Sequence, residues 1–306
     1  MTMGNLLTLD NHALPHPCFD EKAKRACGRI HLPVAPGCNI QCGYCSRAFD
    51  CVNESRPGVT SSIMEPDQAV ACLSKMLTRM PYVTVAGIAG PGDAFCDPER
   101  TLTTLEMIRR EHPRLNLCLS TNGLDIGPHI SDLAHLGVGY VTITMNSATA
   151  ETGSLIYPYV RNGSQMLRGL EGAGFLIGRQ LDAIAALKAK KIAVKVNTVV
   201  VSRINEGEVE GIARRVSKLG AGIMNIIPAI AVPGTAFEHA SPISSAKLNA
   251  LRKRAAVYIT QMTHCVRCRA DAAGFLDSRE EQGPTICLTA AEFGPKSTLR
   301  ILRRCG

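Results

Sequence analysis

Apolar and polar positions along the chain follow two alternating patterns. Short continuous apolar runs are typical of buried strands, and between them apolar residues return every three or four positions, which indicates amphipathic helices. The strands are predicted at residues 29–36, 82–89, 115–119, 140–145, 193–201 and 222–227. The helices are predicted at residues 67–80, 98–111, 130–135, 164–190, 206–219 and 244–262. Because residues 164–190 contain several glycines, we expect that helix to be broken.

This order amounts to about six strand–helix units. Such alternation implies parallel strands joined by crossover helices. We therefore predict an α/β fold, a partial (β/α)6 TIM-like barrel that forms one domain over residues 29–262. Residues 1–28 and 263–306 lie outside the alternation and are predicted to be N- and C-terminal extensions. Both extensions carry Cys and His.

Composition narrows the class of protein. The chain has 306 residues, 13 of them cysteine and none tryptophan, so its core must be largely aliphatic. An odd cysteine count without an export signal argues against a disulfide framework and favours metal binding in a reducing compartment. The apolar runs are too short to cross a bilayer, and the first 20 residues lack a basic start followed by an apolar run. We expect a cytoplasmic protein without a membrane partner.

The formal net charge of +8 has two interpretations. It fits an ordinary solvated basic surface, and it also fits an apoprotein that takes up an anionic cargo such as a thiolate-ligated iron–sulfur cluster. Nucleic acid is not predicted as a partner, because no basic stripe interleaved with aromatic residues accompanies the charge.

The motif with the clearest chemistry is Cys38-Asn-Ile-Gln-Cys42-Gly-Tyr-Cys45, directly after the first predicted strand. Loops at the carboxyl ends of barrel strands are where active sites lie in this kind of fold. Three thiolates can hold three irons of a [4Fe–4S] cluster and leave the fourth iron open. A chance spacing in a Cys-rich chain or part of a zinc site remains the alternative.

This arrangement resembles the radical S-adenosylmethionine (SAM) superfamily, which has a partial β/α barrel. The resemblance implies that Cys38, Cys42 and Cys45 are catalytic and that SAM binds at the open iron and is cleaved reductively. In that superfamily a Gly-rich turn after the second strand contacts SAM, and the turn here would contribute Gly90, Gly92 and Asp93. An ordinary tight turn is the alternative. Further candidate SAM contacts, chosen by position after or along later strands, are Ser120, Asn122, Asn146 and Asn197.

A narrower resemblance covers the flanks of the motif. The string continues through Cys51-Val-Asn-Glu-Ser-Arg-Pro-Gly58, with His16-Pro17-Cys18 upstream and Cys265-Val-Arg-Cys268 far downstream. It resembles the NifB family, the maturases of the nitrogenase iron–molybdenum cofactor. The resemblance implies two additional [4Fe–4S] clusters, K1 and K2, which are fused with a SAM-derived carbon and an extra sulfur into an 8Fe–9S–C precursor. We expect a stand-alone form without a NifX-like C-terminal domain.

The resemblance also implies partners. These are a donor scaffold for iron–sulfur clusters, a reductant such as ferredoxin, and a downstream cofactor carrier or scaffold such as NifX or NifEN.

Six residues in motif-like settings are candidate ligands of the two additional clusters: Cys18, His31, Cys51, Cys118, Cys265 and Cys268. Three ligands per cluster would leave an open edge for fusion, although spacing does not say which ligand serves K1 or K2. A buried core histidine, a packing cysteine and a zinc half-site remain the alternatives for His31, Cys118 and the Cys265–Cys268 pair.

Glu54 and Arg56 are the remaining catalytic candidates. A carboxylate in the first loop can serve as a base or relay when a methyl group loses protons, and Arg56 can pair with it or with an anion. A salt-bridged loop is an equally good interpretation of the pair.

Two other functions are compatible with the motifs. One is a radical SAM enzyme with auxiliary clusters that acts on a peptide or small molecule. The other is a non-enzymatic iron–sulfur carrier or scaffold, which would bind clusters without cleaving SAM.

Overall fold

A computed structural model describes residues 15–53 and 61–276. Its strands are, in chain order, β1 (Gly28–His31), β2 (Ile40–Gln41), β3 (Val83–Ile88), β4 (Asn116–Thr121), β5 (Val138–Thr144), β6 (Tyr159–Asn162), β7 (Gln165–Leu167), β8 (Ala193–Val200), β9 (Ile223–Pro228), β10 (Thr260–Gln261) and β11 (Ala273–Gly274). Its α-helices are α1 (Pro66–Arg79), α2 (Pro98–Glu111), α3 (Ile130–His135), α4 (Ala150–Ile156), α5 (Gly169–Ala189), α6 (Val209–Lys218) and α7 (Ser245–Ala255). Short 3-10 turns lie at Glu21–Arg25, Gly127–His129 and Glu206–Glu208.

Eight strands form one sheet in the order β10-β9-β8-β5-β4-β3-β1-β11. The six predicted strands are its central members, and every neighbouring pair among them is parallel. The described chain adds β10 parallel to one edge and β11 antiparallel to the other. The predicted α/β fold is confirmed, because this is an open parallel sheet whose strands alternate with helices.

The core lies between the sheet and the helices that follow its strands. Every residue of β5 is buried, as expected for a parallel strand covered on both faces. Leu73 and Met76 of α1 and Leu105 and Ile108 of α2 contribute to the same apolar cluster as the strands. The core is aliphatic, as the composition predicts. Among the described residues, no helix combines the length and the apolar character needed to span a bilayer.

The predicted helix over residues 164–190 differs from the structure at its start. Residues 159–167 form the antiparallel hairpin β6–β7, and α5 then runs unbroken through its glycines. Gly172 is required by packing, since a Cβ there would lie 2.9 Å from the Leu167 carbonyl oxygen. The cost of helical glycines, about 1 kcal/mol each, is offset by the burial of Leu176, Ile184 and Leu187.

Two other predicted boundaries also shift. The last helix ends at Ala255 rather than near residue 262, because Thr260–Gln261 pairs with β9. The first strand ends at His31, and the chain beyond it meets the loop after β3 through a bridge between Ala35 and Pro91.

Candidate metal centre

The three motif cysteines lie in the loop after β1, at the carboxyl end of the sheet, as predicted. Cys38, Cys42 and Cys45 are all buried, with exposures of 8%, 5% and 8%, and they share one apolar cluster. Part of the loop itself is the short strand β2, which pairs with the inserted hairpin through β6. The sequence gives no sign of this support, because two residues are too few to show periodicity. The hairpin therefore holds the cysteine loop from outside the main sheet.

The electrostatics around these thiols suit an anionic group. Burial, followed by the neighbouring thiols, raises the pKa of Cys42, and burial raises that of Cys45. Burial alone would lower the pKa of Arg47, but the adjacent Cys38 and Cys45 thiolates outweigh it and the net shift is upward. Arg47 also donates to the backbone carbonyl of Ile40, which fixes its position in the loop. A half-buried cation beside three buried thiols would compensate the charge that a thiolate-ligated cluster brings.

The Gly-rich turn after β3 packs directly on the residues before Cys38. The Gly92 N–H donates to the Ala35 carbonyl at 2.7 Å, and the Asp93 N–H donates to the Gly37 carbonyl at 2.6 Å. A Cβ on Gly92 would stand 1.8 Å from the Gly37 oxygen, so no other residue fits this approach. Gly90 has a φ of +123°, a conformation that favours glycine. The turn therefore fixes the backbone path of the chain that leads into the cysteine loop.

Asp93 connects this turn to the end of β4. Its buried carboxylate accepts hydrogen bonds from the Asn122 and Phe95 backbone N–H groups and from the Thr121 hydroxyl. Burial raises the pKa of Asp93 to about 6, against the opposing effect of these donors. Asn122 in turn donates to Asn39 Oδ1 at 2.6 Å, with its amide nitrogen 3.8 Å from Cys38 Sγ. Asp93 thus positions Asn122 beside the motif.

A second polar network joins the cysteine loop to β8 and to the segment just after β5. The Tyr44 hydroxyl donates to Asn53 Oδ1 at 2.5 Å and accepts from Asn146 Nδ2 at 2.6 Å. Asn197 donates to the Asn53 carbonyl at 3.1 Å, and the Asn53 amide nitrogen lies 3.9 Å from Cys42 Sγ. The predicted cofactor residues Asn146 and Asn197 therefore meet the cysteine loop through Tyr44 and Asn53. Asn53 is a site residue that the sequence analysis did not single out.

Asn53 and Asn197 also line a cavity formed by residues of β1, β4, β5, β8, β9 and the two extensions. The space in it that water-sized molecules can reach is about 50 Å³, and the cavity is partly open to solvent. Five of the six predicted auxiliary ligands line it, together with the predicted Ser120: Cys18, His31, Cys118, Cys265 and Cys268. The strand register and the two extensions bring together residues that are up to 250 positions apart in sequence.

Two of these candidates are adjacent across a glycine. His31 on β1 and Cys118 on β4 are both in register with Gly87 on β3. A Cβ on Gly87 would lie 2.6 Å from Cys118 Sγ and 3.5 Å from His31 Cδ2, so glycine leaves the space that both side chains use. His31 Nδ1 lies 3.1 Å from the Arg269 carbonyl. Because a carbonyl only accepts, Nδ1 carries the proton and Nε2 keeps the lone pair that a metal requires.

Cationic and donor groups lie among the cavity thiols. Arg29 Nη2 is 2.9 Å from Cys268 Sγ, although the Arg29 side chain is almost fully buried. Burial raises the pKa of Cys18 to about 11, and the nearby Lys195 ammonium opposes that rise. Burial, followed by Arg29, lowers the pKa of His31 to about 3, which keeps the ring neutral. Charged residues inside buried strands are rare, so Arg29 and Lys195 were detectable in the sequence as exceptions within apolar runs.

The other predicted site residues are placed differently or lie outside the described residues. Cys51 does not line the cavity, and its backbone N–H donates to the Pro91 carbonyl beside the Gly-rich turn. Glu54 and Arg56 lie outside the described residues. Cys27 is buried and contacts the Pro15 and Ala23 carbonyls, which is a packing role. Cys72 and Cys96 are each engaged in a disulfide.

The cysteine loop carries the donor type of an iron–sulfur cluster. Its three buried thiols stand beside the Arg47 guanidinium, and thiolates are the usual ligands of a [4Fe–4S] cluster. Within the described ranges, no three His, Cys, Asp or Glu side chains stand close enough to hold one metal ion.

Comparison with known protein families shows which family the chain belongs to. Residues 32–216 match the Radical SAM superfamily, and this span includes the cysteine loop, the Gly-rich turn and the ends of β4 and β5.

The chain belongs to the radical SAM superfamily.

The narrower resemblance is also confirmed. The chain is 42% identical over 282 residues to the FeMo cofactor biosynthesis protein NifB of Chlorobaculum tepidum, covering 92% of this chain and 66% of that protein. It is 43% identical over 274 residues to the protein of the same name from Klebsiella pneumoniae, covering 88% of this chain and 58% of the relative. The chain thus spans somewhat less than two thirds of the length of these relatives.

Solved structures support the fold of this radical SAM chain. The crystal structure of Streptococcus suis SuiB bound to S-adenosylmethionine superposes with a TM-score of 0.54 at 13% sequence identity, over 79% of this chain and 52% of SuiB. At this identity the similarity concerns the fold alone.

Proposed function

We propose that this chain is a radical SAM enzyme of nitrogenase cofactor assembly. In this proposal it fuses two [4Fe–4S] substrate clusters, K1 and K2, with a SAM-derived carbon and an additional sulfur into the 8Fe–9S–C precursor. The observation that carries the proposal is a second set of Cys and His side chains, buried or half-buried, in a cavity that opens beside the SAM-type cysteine loop. An enzyme that uses one cluster has no need of the second set.

The cysteine loop would hold the resident cluster through Cys38, Cys42 and Cys45. Such a cluster, with SAM bound to it, supplies one-electron reductive cleavage of a C–S bond. Arg47 compensates the cluster charge, and the Gly90–Asp93 turn sets the path of the loop. Asn122 holds Asn39 and Asn146 holds Tyr44 by hydrogen bonds beside the loop, where the SAM amino acid and ribose groups would bind.

The cavity would hold the substrate clusters. Cys18, His31, Cys118, Cys265 and Cys268 are proposed as their ligands on the strength of their shared cavity. Cys51 is proposed as the sixth, since its backbone is fixed to the Gly-rich turn at the edge of the same site. A neutral imidazole is a more exchangeable ligand than thiolate, which suits a cluster that must be released after fusion.

Glu54 is proposed as a proton acceptor during carbon insertion, with Arg56 as its partner. We expect Glu54→Gln to retain all clusters and to stall the conversion of the methyl group to carbide. Unchanged product yield in this variant would exclude that role.

The partners and the location are part of the same proposal. They are a cluster donor scaffold, a reductant such as ferredoxin, a downstream carrier or scaffold such as NifX or NifEN, and the cytoplasm. The match to NifB proteins supports the pathway.

The decisive experiment is anaerobic reconstitution followed by iron counting and product analysis. We expect about twelve irons per chain from three cubanes, with formation of 5′-deoxyadenosine when dithionite and SAM are added. Label from the SAM methyl group should appear in the cluster product. Replacing Cys38, Cys42 and Cys45 by alanine should remove about four irons and all SAM cleavage. Cys27→Ser, at a buried cysteine with a packing role, should change neither.

The remaining functions give different results in the same assay. Full iron content with intact SAM would indicate an iron–sulfur carrier. SAM cleavage without transfer of labelled carbon to the cluster would indicate a radical SAM enzyme that acts on a peptide or small molecule.

A further inference from the structure

Two basic side chains, His16 and Lys195, also line the cavity. His16 lines it and is 3% exposed, packed between Phe19 and Tyr140 with ring centroids 4.9 and 4.6 Å away. Lys195 on β8 also lines it and is 8% exposed, with its ammonium 5.7 Å from the Phe19 ring centroid. Neither residue is among the predicted ligands.

The tautomer of His16 follows from one hydrogen bond. The Cys18 backbone N–H donates to His16 Nδ1 at 3.0 Å. Nδ1 therefore carries no proton, so the ring is neutral and Nε2 holds the remaining hydrogen. This buried Nε2 has no hydrogen-bond partner among the described residues. A buried N–H donor without an acceptor costs about 1–3 kcal/mol, so this N–H calls for an acceptor that the described residues do not supply.

The acceptor must be compatible with the cation next to it. Lys195 faces the same space as Cys18, Cys265 and Cys268, and its ammonium has only donors to offer. A neutral N–H and an ammonium side by side select an anion that accepts hydrogen bonds. In a cavity whose other walls carry thiols and an imidazole, the bridging sulfides of a [4Fe–4S] substrate cluster meet this requirement.

We propose that His16 and Lys195 form a donor wall that binds the inorganic sulfide face of a substrate cluster while the cysteines and His31 ligate its irons. This inference rests on the proposed function and adds two substrate-binding residues that are not iron ligands. The hydrogen bonds from the donor wall go to sulfide, so they do not depend on which side chains ligate the irons. The cluster can therefore stay bound while its iron ligands change during fusion.

The test uses the full chain, reconstituted anaerobically with iron and sulfide. His16→Phe keeps a ring in the aromatic pocket and removes the donor, whereas His16→Gln keeps an N–H donor. Lys195→Met removes the charge at similar length, and Lys195→Arg keeps it. Lys253→Met, at an exposed position of α7, is the matched control. The readouts are the rate of iron loss to a chelator, the reduction potential of the cavity clusters, and SAM cleavage by the resident cluster.

We expect His16→Phe and Lys195→Met to lose cavity iron about 10- to 100-fold faster than the wild type, as removal of a hydrogen bond to a charged group implies. Their cavity clusters should also be reduced at lower potentials, because hydrogen bonds to sulfur raise cluster potentials. His16→Gln, Lys195→Arg and Lys253→Met should remain close to the wild type, and SAM cleavage should persist in all variants.

Unchanged chelation rates and potentials in both His16→Phe and Lys195→Met would overturn the donor wall while leaving the proposed function intact. Equal losses in His16→Gln and His16→Phe would also overturn it, since packing rather than the N–H would then matter. A wild-type chain that takes up only the four irons of the resident cluster would overturn both proposals.

Discussion

Gly92 is the position where the smallest change should have the largest effect on the cysteine loop. In Gly92→Ala the new Cβ would stand 1.8 Å from the Gly37 oxygen and 2.5 Å from the Gly37 carbonyl carbon. Both atoms belong to the backbone, so no side chain can rotate to relieve the contact. The loop before Cys38 must move by about 1 Å or more, since real Cβ contacts essentially never fall below 3.0 Å.

The loss of stability expected for Gly92→Ala has two parts. Overpacking of a well-packed site costs about 1–3 kcal/mol. The shift also strains the hydrogen bonds from Gly92 to Ala35 and from Asp93 to Gly37, at 2.7 and 2.6 Å, and a buried unsatisfied group adds about 1–3 kcal/mol. We therefore expect a loss of about 3 kcal/mol or more in the free energy of unfolding, together with loss of iron at Cys38, Cys42 and Cys45.

Urea denaturation of the metal-free protein measures the first effect, and iron content with 5′-deoxyadenosine formation measures the second. Gly178→Ala is the control, because a Cβ there meets nothing within 4 Å and alanine is a better helix former. It should stabilise the protein by about 0.5–1 kcal/mol. A Gly92→Ala protein within about 1 kcal/mol of the wild type, with full iron content, would refute the close approach of the two loops.

Three further predictions concern separate parts of the site. Gly87→Ala places a Cβ 2.6 Å from Cys118 Sγ, so iron analysis should show loss of the cavity clusters while the four irons of the resident cluster are kept. Gly222→Ala is the control, because its new Cβ would be 3.9 Å from the nearest atom, and it should lose no iron. Asp93 holds its proton in the folded state up to about pH 6, above its unfolded value of 3.8. Relative to Asp93→Asn, the wild type should therefore lose up to about 3 kcal/mol of stability as pH rises from about 4 to 6; parallel denaturation curves would contradict this. Arg47→Met should slow SAM cleavage by about 10- to 100-fold through loss of a charged hydrogen-bond partner, whereas Arg47→Lys should keep most activity. Equal rates in the two variants would exclude a role for the charge.

The sequence by itself determined the strands, most helices and the position of the cysteine loop. Apolar runs mark buried strands wherever they occur, and the periodicity of α2 and α3 predicted their bounds as the structure has them. The loop follows β1 because the motif directly follows that run. These are local properties, which neighbouring residues encode without reference to the rest of the chain.

Only the tertiary structure decided which side chains share the cavity. Gly87 faces His31 and Cys118 because of the register of β1, β3 and β4, and register between strands distant in sequence cannot be derived from spacing. Of the hairpin β6–β7, β7 falls within a predicted helix, and β6 finds its partner in the cysteine loop. His16 and Lys195 line one cavity only because the N-terminal segment packs against the sheet, where His16 contacts Tyr140 of β5. A long-range contact of this kind depends on how whole elements pack, and the local sequence pattern does not carry that information.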